Sequence, residues 1–130
     1  MSDQDALTPR VFLVRHRETS WAKSGRHTGT IEIELTAEGA AQVSSTTASL
    51  VGAGKLLDPS RLVYVFISPR TRTRRTFELL LSPSLGTGEW NKSVTYTEDI
   101  AEWNYGDYKG LMAGEIRKLR KKKGLDRERE

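Results

Sequence analysis

The chain has 130 residues, a formal net charge of +4 and no cysteine, which fits a single domain and excludes disulfides, thiolate metal sites and thiol nucleophiles. Its mean hydropathy is −0.56, and no apolar run approaches the roughly 18 residues that a membrane span needs. The basic excess favours anionic partners, such as phosphorylated small molecules or nucleic acids, and the lack of cysteine favours a reducing, cytoplasmic location.

The N-terminal part of the chain predicts a leader, a strand and a long loop. Residues 1–10 carry acids and no apolar segment, so we expect a flexible leader rather than a secretory signal. The continuous apolar run Val11–Val14 is typical of a strand buried on both faces. Residues 16–34 are polar and glycine-containing, which predicts a long loop, and loops longer than about 12 residues are usually functional or disordered.

The middle of the chain predicts a helix, a strand and a second helix. Thr36 has the chemistry of a helix N-cap, and the glycines at the end of the following segment should terminate that helix. Arg61–Ile67 is rich in β-branched and aromatic residues, which predicts a strand. Ser68 and Pro69 then suit the N-cap and first position of a helix that stops near Ser82.

The last third completes an alternating pattern. Residues 93–99 predict a short strand, and Glu115–Lys123 predicts a helix with basic residues outward. Residues 127–130 are expected to form a frayed tail after a domain over 11–126. Strands alternating with helices predict an α/β fold, with a mostly parallel sheet flanked by helices. Ligands of such sheets bind beyond the carboxyl ends of the strands.

Two cationic patches fall at that edge of the predicted sheet. Arg15 and His16 follow the first strand, and Ser68, Arg70 and Arg72 follow the second. Arginine forks and helix N-termini both bind phosphate oxygens. A histidine within an arginine shell can attack phosphorus. The patches therefore predict a phosphate site with His16 as nucleophile.

An acid is also needed, because the leaving oxygen takes up a proton. Glu102 is the candidate, since burial beside aromatic residues would favour its protonated form. Taken one at a time, each feature has an ordinary structural interpretation: a histidine at a strand end, a solvated arginine-rich face, a surface glutamate. The combination, rather than any single residue, carries the hypothesis.

Four segments in chain order strengthen it. They are LVRHRETSW, GRHTGTIEIELTAEGAAQ, FISPRTRTRRTFELL and EDIAEWNYGDYKGLMAGEIRKLRKKKGLD. Together they resemble the signature segments of the histidine phosphatase superfamily, in its phosphoglycerate-mutase-like branch, and are most similar to those of the fungal sedoheptulose-1,7-bisphosphatases. The resemblance covers about residues 11–126 and implies a phosphoglycerate-mutase-like fold, truncated before the family's second histidine.

The resemblance implies a role for each matching position. His16 would become phosphohistidine, Arg15 and Arg72 would bind the phosphoryl group, and Glu102 would act as acid and then as base. No metal or organic cofactor is implied. The expected substrate is a phosphorylated small molecule, a sugar phosphate or bisphosphate, with these further binding candidates: Arg17, Thr28, Gly29, Ser68 and Tyr105.

Three departures separate the chain from the family pattern. Arg17 stands where the family has the glycine of its RHGET segment, and its side chain either crowds the pocket or adds a cation to it. Lys109 replaces a glutamate, which changes the local charge by two, and we expect a rim residue there. The family's second histidine has no counterpart before Glu130, and His27 is the other histidine of the chain.

The missing half would leave a sheet edge open, and open edges pair readily with other chains. We therefore expect a homodimer or higher oligomer formed through that edge. Two functional alternatives stay open beside the phosphatase. One is an acid–base enzyme, such as an isomerase, cyclase, dehydratase or lyase, acting on a substrate without phosphate. The other is a non-catalytic binding or regulatory protein, for which nucleic acid is the less favoured partner.

Overall fold

The computed structural model describes residues 7–85 and 93–125. Of the expected leader over 1–10 only residues 7–10 are described, and its first six residues and the expected tail over 127–130 lie outside the described residues. No helix within these two ranges is long and apolar enough to cross a membrane.

A parallel strand pair joined by a helix confirms the predicted α/β class. Strand β1 covers Val65–Ile67 and strand β2 covers Val94–Tyr96, in a parallel register that pairs Val65 with Val94. Between them runs a helix over Thr71–Leu85. The β-branched and aromatic side chains of both strands favour the extended backbone. The strand at Arg61–Ile67 is shorter than predicted, because its first residues close a 3₁₀ turn instead.

The core lies between that helix and the one predicted after Thr36. Helix Ala37–Leu50 begins at Thr36, whose hydroxyl accepts the Gly39 N–H at 3.0 Å. The two helices are tied where the Thr47 hydroxyl donates to the Leu79 carbonyl at 3.2 Å. Their contact buries an apolar cluster of four residues: Val43, Leu57, Leu80 and Leu81. The Thr71–Leu85 helix of this layer also packs against β1, whose carboxyl end leads to Ser68.

Gly39 brings the second helix into contact with the backbone just after His16. A Cβ on Gly39 would lie 2.2 Å from the Glu18 carbonyl oxygen, so a side chain cannot fit there. Thr36 reinforces the contact from both ends, because its N–H donates to the Glu18 carbonyl at 3.0 Å and its hydroxyl donates to the Glu18 carboxylate at 2.8 Å. The helix N-terminus therefore anchors the turn that carries the histidine.

Two further helices differ from the prediction: one was not predicted, and the other begins earlier than predicted. The predicted loop over 16–34 contains a short helix, Ser20–Ser24, capped by the Thr19 hydroxyl and ended by Gly25 at a φ of 76°. The last helix spans Ala113–Lys122 and begins two residues earlier than predicted. Local capping decides both bounds, since the Glu115 carboxylate accepts the N–H at the start of the last helix. In chain order the helices are α1 (Ser20–Ser24), α2 (Ala37–Leu50), α3 (Thr71–Leu85) and α4 (Ala113–Lys122).

The prediction of a buried strand at Val11–Val14 is wrong for this structure. The segment has no strand pairing, and Val11 and Leu13 are 85 % and 94 % exposed. Phe12 alone turns inward and packs against the core cluster. A strand requires a neighbour to complete its hydrogen bonds. No described backbone lies alongside this segment in pairing register, so its apolar pattern is left without a partner.

Replacing Gly39 with alanine is expected to destabilise the fold by about 1–3 kcal/mol, because the added methyl group overpacks the contact with Glu18. Urea denaturation of the wild type and the variant measures the difference. Gly114→Ala is the matched control, since nothing lies near its Cβ position within α4. There the same change should be neutral or stabilising by up to about 1 kcal/mol. Equal effects at both glycines would contradict the contact.

Candidate active site

The chemistry-bearing residues meet at one end of a large open groove. A cavity of about 1120 Å³ lies between residues 8–16 on one wall and residues 61–68 on the other, with α3 beneath them. The two walls end at His16 and Ser68, and Arg72 and Glu102 line the same space. The site thus lies beyond the carboxyl end of β1, as parallel sheets lead one to expect.

Arg72 is the most buried charged side chain of the site, with 2 % exposure. Its guanidinium donates to three fixed oxygens. These are the Ile31 carbonyl at 3.0 Å, the Gly29 carbonyl at 2.9 Å and the Glu102 carboxylate at 2.7 Å. A buried guanidinium requires this degree of satisfaction. Its planar fork is therefore held in one orientation, facing the cavity that His16 also lines.

The helix that carries Arg72 is capped from a distant loop. Sequence reasoning placed its N-cap at Ser68, but α3 begins at Thr71. The Glu32 carboxylate accepts the Thr71 N–H at 2.7 Å and also the Thr71 hydroxyl. These bonds lower the pKa of Glu32, the hydroxyl contact contributing most. Tertiary structure thus supplies the cap that the local sequence was expected to provide, and it ties the 28–32 loop to α3.

The end of α3 also differs from the prediction. The helix was expected to stop near Ser82 and Pro83, yet it continues to Leu85. The described core explains why it extends, because Leu80 and Leu81 are buried in the last turns and hold them against α2.

His16 is oriented by the backbone and is half-buried. Its Nδ1–H donates to the Arg17 carbonyl at 2.8 Å, which leaves Nε2 as the atom with a free lone pair. Burial lowers the pKa of His16 below its ordinary value of 6.5, and the positive charges of Arg72 and Arg15 act in the same direction. The bond to Arg17 and the charge of Glu102 oppose that shift. The imidazole is therefore neutral near pH 7, the form that can attack phosphorus.

Glu102 lies beside Arg72 and the Tyr105 hydroxyl. Its side chain is 34 % exposed and is paired with the guanidinium, whereas the neighbouring Trp103 is 83 % exposed. Of the two aromatic neighbours expected from the sequence, Trp103 is therefore wrong, and Tyr105 does lie next to the carboxylate. Burial, followed by the charge of Glu102, raises the pKa of the Tyr105 hydroxyl. The ring of Tyr105 also meets His27 edge-on, with 4.9 Å between centroids.

The predicted substrate loop packs behind Arg72, because the Gly29 and Ile31 carbonyls accept hydrogen bonds from its guanidinium. Thr28 and Ser68 are both buried. Gly29 has a φ of 57°, and a Cβ there would lie 3.0 Å from the Trp103 carbonyl and 3.2 Å from the Tyr105 ring. Only glycine suits this position, because the conformation is left-handed and the space is filled. The loop is therefore packed closely against residues 103–105.

The two arginines flanking His16 point in different directions. Arg15 is exposed, and its charge acts on both His16 and Tyr105. Arg17 lies on a separate shallow polar surface formed with α2, next to Glu38 and Gln42. The structure thus brings Arg15 to the candidate site and leaves Arg17 outside it, so the side chain at the family's glycine position does not crowd the cavity.

Sequence reasoning did not identify two contributors to this arrangement. Glu32 caps α3, and the Ile31 carbonyl holds Arg72. The only signal of these contacts in the sequence was an acidic residue, Glu32, within the long loop predicted over 16–34. Among residues 7–85 and 93–125, no group of three histidine, aspartate or glutamate side chains is arranged to hold a metal ion.

Comparison with known proteins decides the family. The sequence pattern of the histidine phosphatase superfamily (branch 1) matches residues 11–130. The chain belongs to the histidine phosphatase superfamily. The resemblance drawn from its four sequence segments is thereby confirmed.

Curated relatives of this superfamily are similar over most of the chain. The sedoheptulose 1,7-bisphosphatase of Saccharomyces cerevisiae is 42% identical over 124 residues, which is 95% of this chain and 46% of the relative. An acid phosphatase of Mycobacterium tuberculosis is 41% identical over 108 residues, or 83% of this chain and 46% of the relative. The chain therefore spans about half the length of the curated relatives it matches.

Solved structures show the same fold. The alpha-ribazole phosphatase from Shigella flexneri matches with a TM-score of 0.63 at 23% identity, over 85% of this chain and 47% of that one. The predicted phosphoglycerate-mutase-like α/β architecture is confirmed at the level of the fold.

The low pKa of His16 can be measured directly by NMR titration of its imidazole, which should titrate below pH 6.5. In Arg15→Gln the pKa of His16 should rise, because a nearby positive charge that disfavours protonation is removed. Arg17→Gln is the control, since its side chain faces α2 and only its carbonyl contacts the ring. A wild-type midpoint at or above 6.5, or equal shifts in both variants, would contradict the geometry.

Proposed function

We propose that this chain carries the phosphoryl-transfer site of a phosphatase that acts on phosphorylated small molecules through a phosphohistidine. The observation that carries the proposal is the neutral His16, with Nε2 free, in the same cavity as the fixed Arg72 and Glu102. The names of the yeast and mycobacterial relatives support phosphate ester hydrolysis. A sugar phosphate or bisphosphate is the proposed substrate class.

The proposed reaction has two displacement steps. In the first, Nε2 of His16 forms a bond to phosphorus, the ester P–O bond breaks, and Glu102 gives a proton to the leaving oxygen. In the second, Glu102 takes a proton from water, whose oxygen attacks phosphorus and breaks the P–N bond. Inorganic phosphate leaves, and His16 and Glu102 return to their starting states. Arg15 and Arg72 balance the charge on the phosphoryl oxygens in both steps.

The Arg72–Glu102 ion pair suggests how binding prepares the acid. The Arg72 and Glu102 side chains are 2.7 Å apart. A bound phosphoryl group competes for the same guanidinium N–H, because arginine binds phosphate oxygens with its planar fork. The Glu102 side chain, displaced from Arg72, is then free to face the leaving oxygen, where a proton donor is needed. Thr28, Gly29, Ser68 and Tyr105 are proposed to contact the substrate.

Phosphate release from sedoheptulose 1,7-bisphosphate, fructose 1,6-bisphosphate and an aryl phosphate tests this function. We expect release by the wild type to fall more than 100-fold in His16→Ala, because no nucleophile remains. The rate should also decline as the pH drops below 6.5 and through the lowered pKa of His16, since the protonated ring cannot attack.

Lys118→Gln, on the exposed side of α4, is the control and should retain wild-type activity. Release that persists in His16→Ala would exclude the phosphohistidine route. If the folded wild type releases no phosphate, the acid–base and regulatory alternatives remain as predictions. The cytoplasmic location also stays a prediction.

We further propose that a second copy of the chain covers the open groove, giving a homodimer or higher oligomer. Strand β1 pairs on one side with β2 and faces the groove on the other. The groove walls expose a large apolar surface, and the Tyr64 and Phe66 rings stack there at 6.4 Å. Exposed apolar patches with an unpaired strand edge favour association. The contributing side chains are Val11, Leu13, Val63, Tyr64 and Phe66.

Sedimentation velocity tests the oligomer. Phe66→Lys should shift the wild-type species to the monomer, because it places a charge in the apolar groove. Leu125→Lys is the matched control, since it alters an equally exposed apolar residue away from the groove. A monomeric wild type, or identical behaviour of both variants, would overturn this assembly.

A further inference from the structure

Arg70 does not have the position that the sequence predicted for it. It was expected in the cationic patch with Ser68 and Arg72, but it does not line the cavity that those two residues share with His16. Its side chain is 17 % exposed, and its guanidinium is paired with two carboxylates. The charge of Arg70 is therefore used in contacts within the protein rather than presented to a ligand.

The two carboxylates come from segments that precede and follow α3 in the chain. Glu32 belongs to the 28–32 loop and lies 3.5 Å from Nη1 of Arg70, while Glu98 follows β2 and lies 2.7 Å from Nη2. The other oxygen of Glu32 accepts the Thr71 N–H at 2.7 Å. Nε of Arg70 is buried and has no acceptor in the described part of the chain, so the two ion pairs hold the guanidinium. Arg70 thus ties both segments to the start of α3.

Glu98 determines where the backbone leading to Glu102 lies. Its carbonyl accepts the Ala101 N–H at 3.0 Å and closes a 3₁₀ turn. The Thr97 N–H donates to the Ile67 carbonyl at 2.9 Å, which continues the contact with β1 up to that turn. The turn is therefore held by β1 at its start and by Arg70 at its side, and Glu102 is the second residue after it.

Arg70 and Arg72 hold this segment in different ways. Arg72 is paired with the Glu102 side chain at 2.7 Å and lines the cavity, so a bound phosphoryl group competes for it. Arg70 is paired with Glu98 outside that cavity, so an anion bound there leaves this pair intact. The two ion pairs therefore differ in whether a substrate can disrupt them.

We propose that Arg70 is a positioning residue for Glu102: through Glu98 it keeps the acid directed at the leaving oxygen after the phosphoryl group has engaged Arg72. The inference rests on the proposed phosphatase function and adds a residue that acts without touching the substrate. A leaving oxygen that is unstable as an anion must be protonated as the P–O bond breaks, whereas a leaving group that is stable as an anion needs no acid. Loss of Arg70 therefore affects the first class of ester and spares the second.

The dependence on the leaving group separates positioning from a general loss of structure. Values of kcat/KM report the first displacement, with fructose 1,6-bisphosphate as the ester that needs an acid and 4-nitrophenyl phosphate as the ester that does not. Arg70→Gln and Glu98→Gln should each lower kcat/KM for the sugar ester about tenfold and leave that for the aryl ester within about twofold. Glu102→Gln should show the same selectivity with a larger loss, because the acid itself is removed.

Arg75→Gln is the matched control for this comparison. Arg75 lies on the same helix as Arg70, and its partner at 3.4 Å is Glu78, an exposed residue of that helix. The control should change kcat/KM for neither ester. Equal losses for both esters in Arg70→Gln, or no loss for either, would overturn the role of Arg70.

Hydrogen–deuterium exchange of the Ala101 N–H measures the same anchoring without turnover. Its bond to the Glu98 carbonyl should open more often in Arg70→Gln, so that exchange rises at least about threefold while the α2 amides keep their wild-type rates. Unchanged exchange at Ala101 would overturn the role of Arg70, whether or not the protein hydrolyses either ester. Faster exchange in a protein whose folded wild type releases no phosphate would reject the hydrolysis alone.

Discussion

The site depends on how the Arg72 guanidinium is held. Burying a cation is unfavourable unless its donors are satisfied, and here the Gly29 and Ile31 carbonyls and the Glu102 carboxylate satisfy them. These acceptors come from segments about 40 and 30 residues away along the chain. One side chain therefore connects the substrate loop, α3 and the segment carrying the candidate acid, and any ligand anion enters a site whose cation is already oriented.

Two further contacts place the nucleophile and the loop relative to that cation. Gly39 lets α2 touch the Glu18 backbone, which fixes the turn that follows His16. Glu32 caps α3 from within the substrate loop. Both are long-range contacts at helix N-termini. At α3 the Glu32 carboxylate accepts the unpaired Thr71 N–H, whereas at α2 the Gly39 N–H is satisfied by Thr36 and the glycine packs on the Glu18 backbone. The stability of the fold and the geometry of the candidate site are coupled through these contacts.

In contrast to the polar contacts around Arg72, the walls of the groove are apolar and exposed. Val11–Val14 has the composition of a central strand but is exposed in the described structure. The chain spans about half the length of its curated relatives, and the groove opens directly beside His16 and Ser68. A second copy that covers this surface would also border the proposed reaction centre. The proposed assembly and the proposed catalysis therefore involve the same cavity.

The sequence by itself determined the family and the α/β class, because motif order and hydrophobic patterns are local properties. Of the predicted site residues, five line the same cavity: Arg15, His16, Ser68, Arg72 and Glu102. The sequence correctly placed Thr36 as an N-cap and β2 within residues 93–99. It failed where a distant group decides the outcome. The start of α3 follows the Glu32 carboxylate rather than Ser68, and the surroundings of Glu102 follow Arg72 rather than Trp103. Val11–Val14 lacks a strand because pairing requires a neighbour that no local pattern can supply. Tertiary structure alone decided these points, since each depends on which groups are brought together from remote parts of the chain.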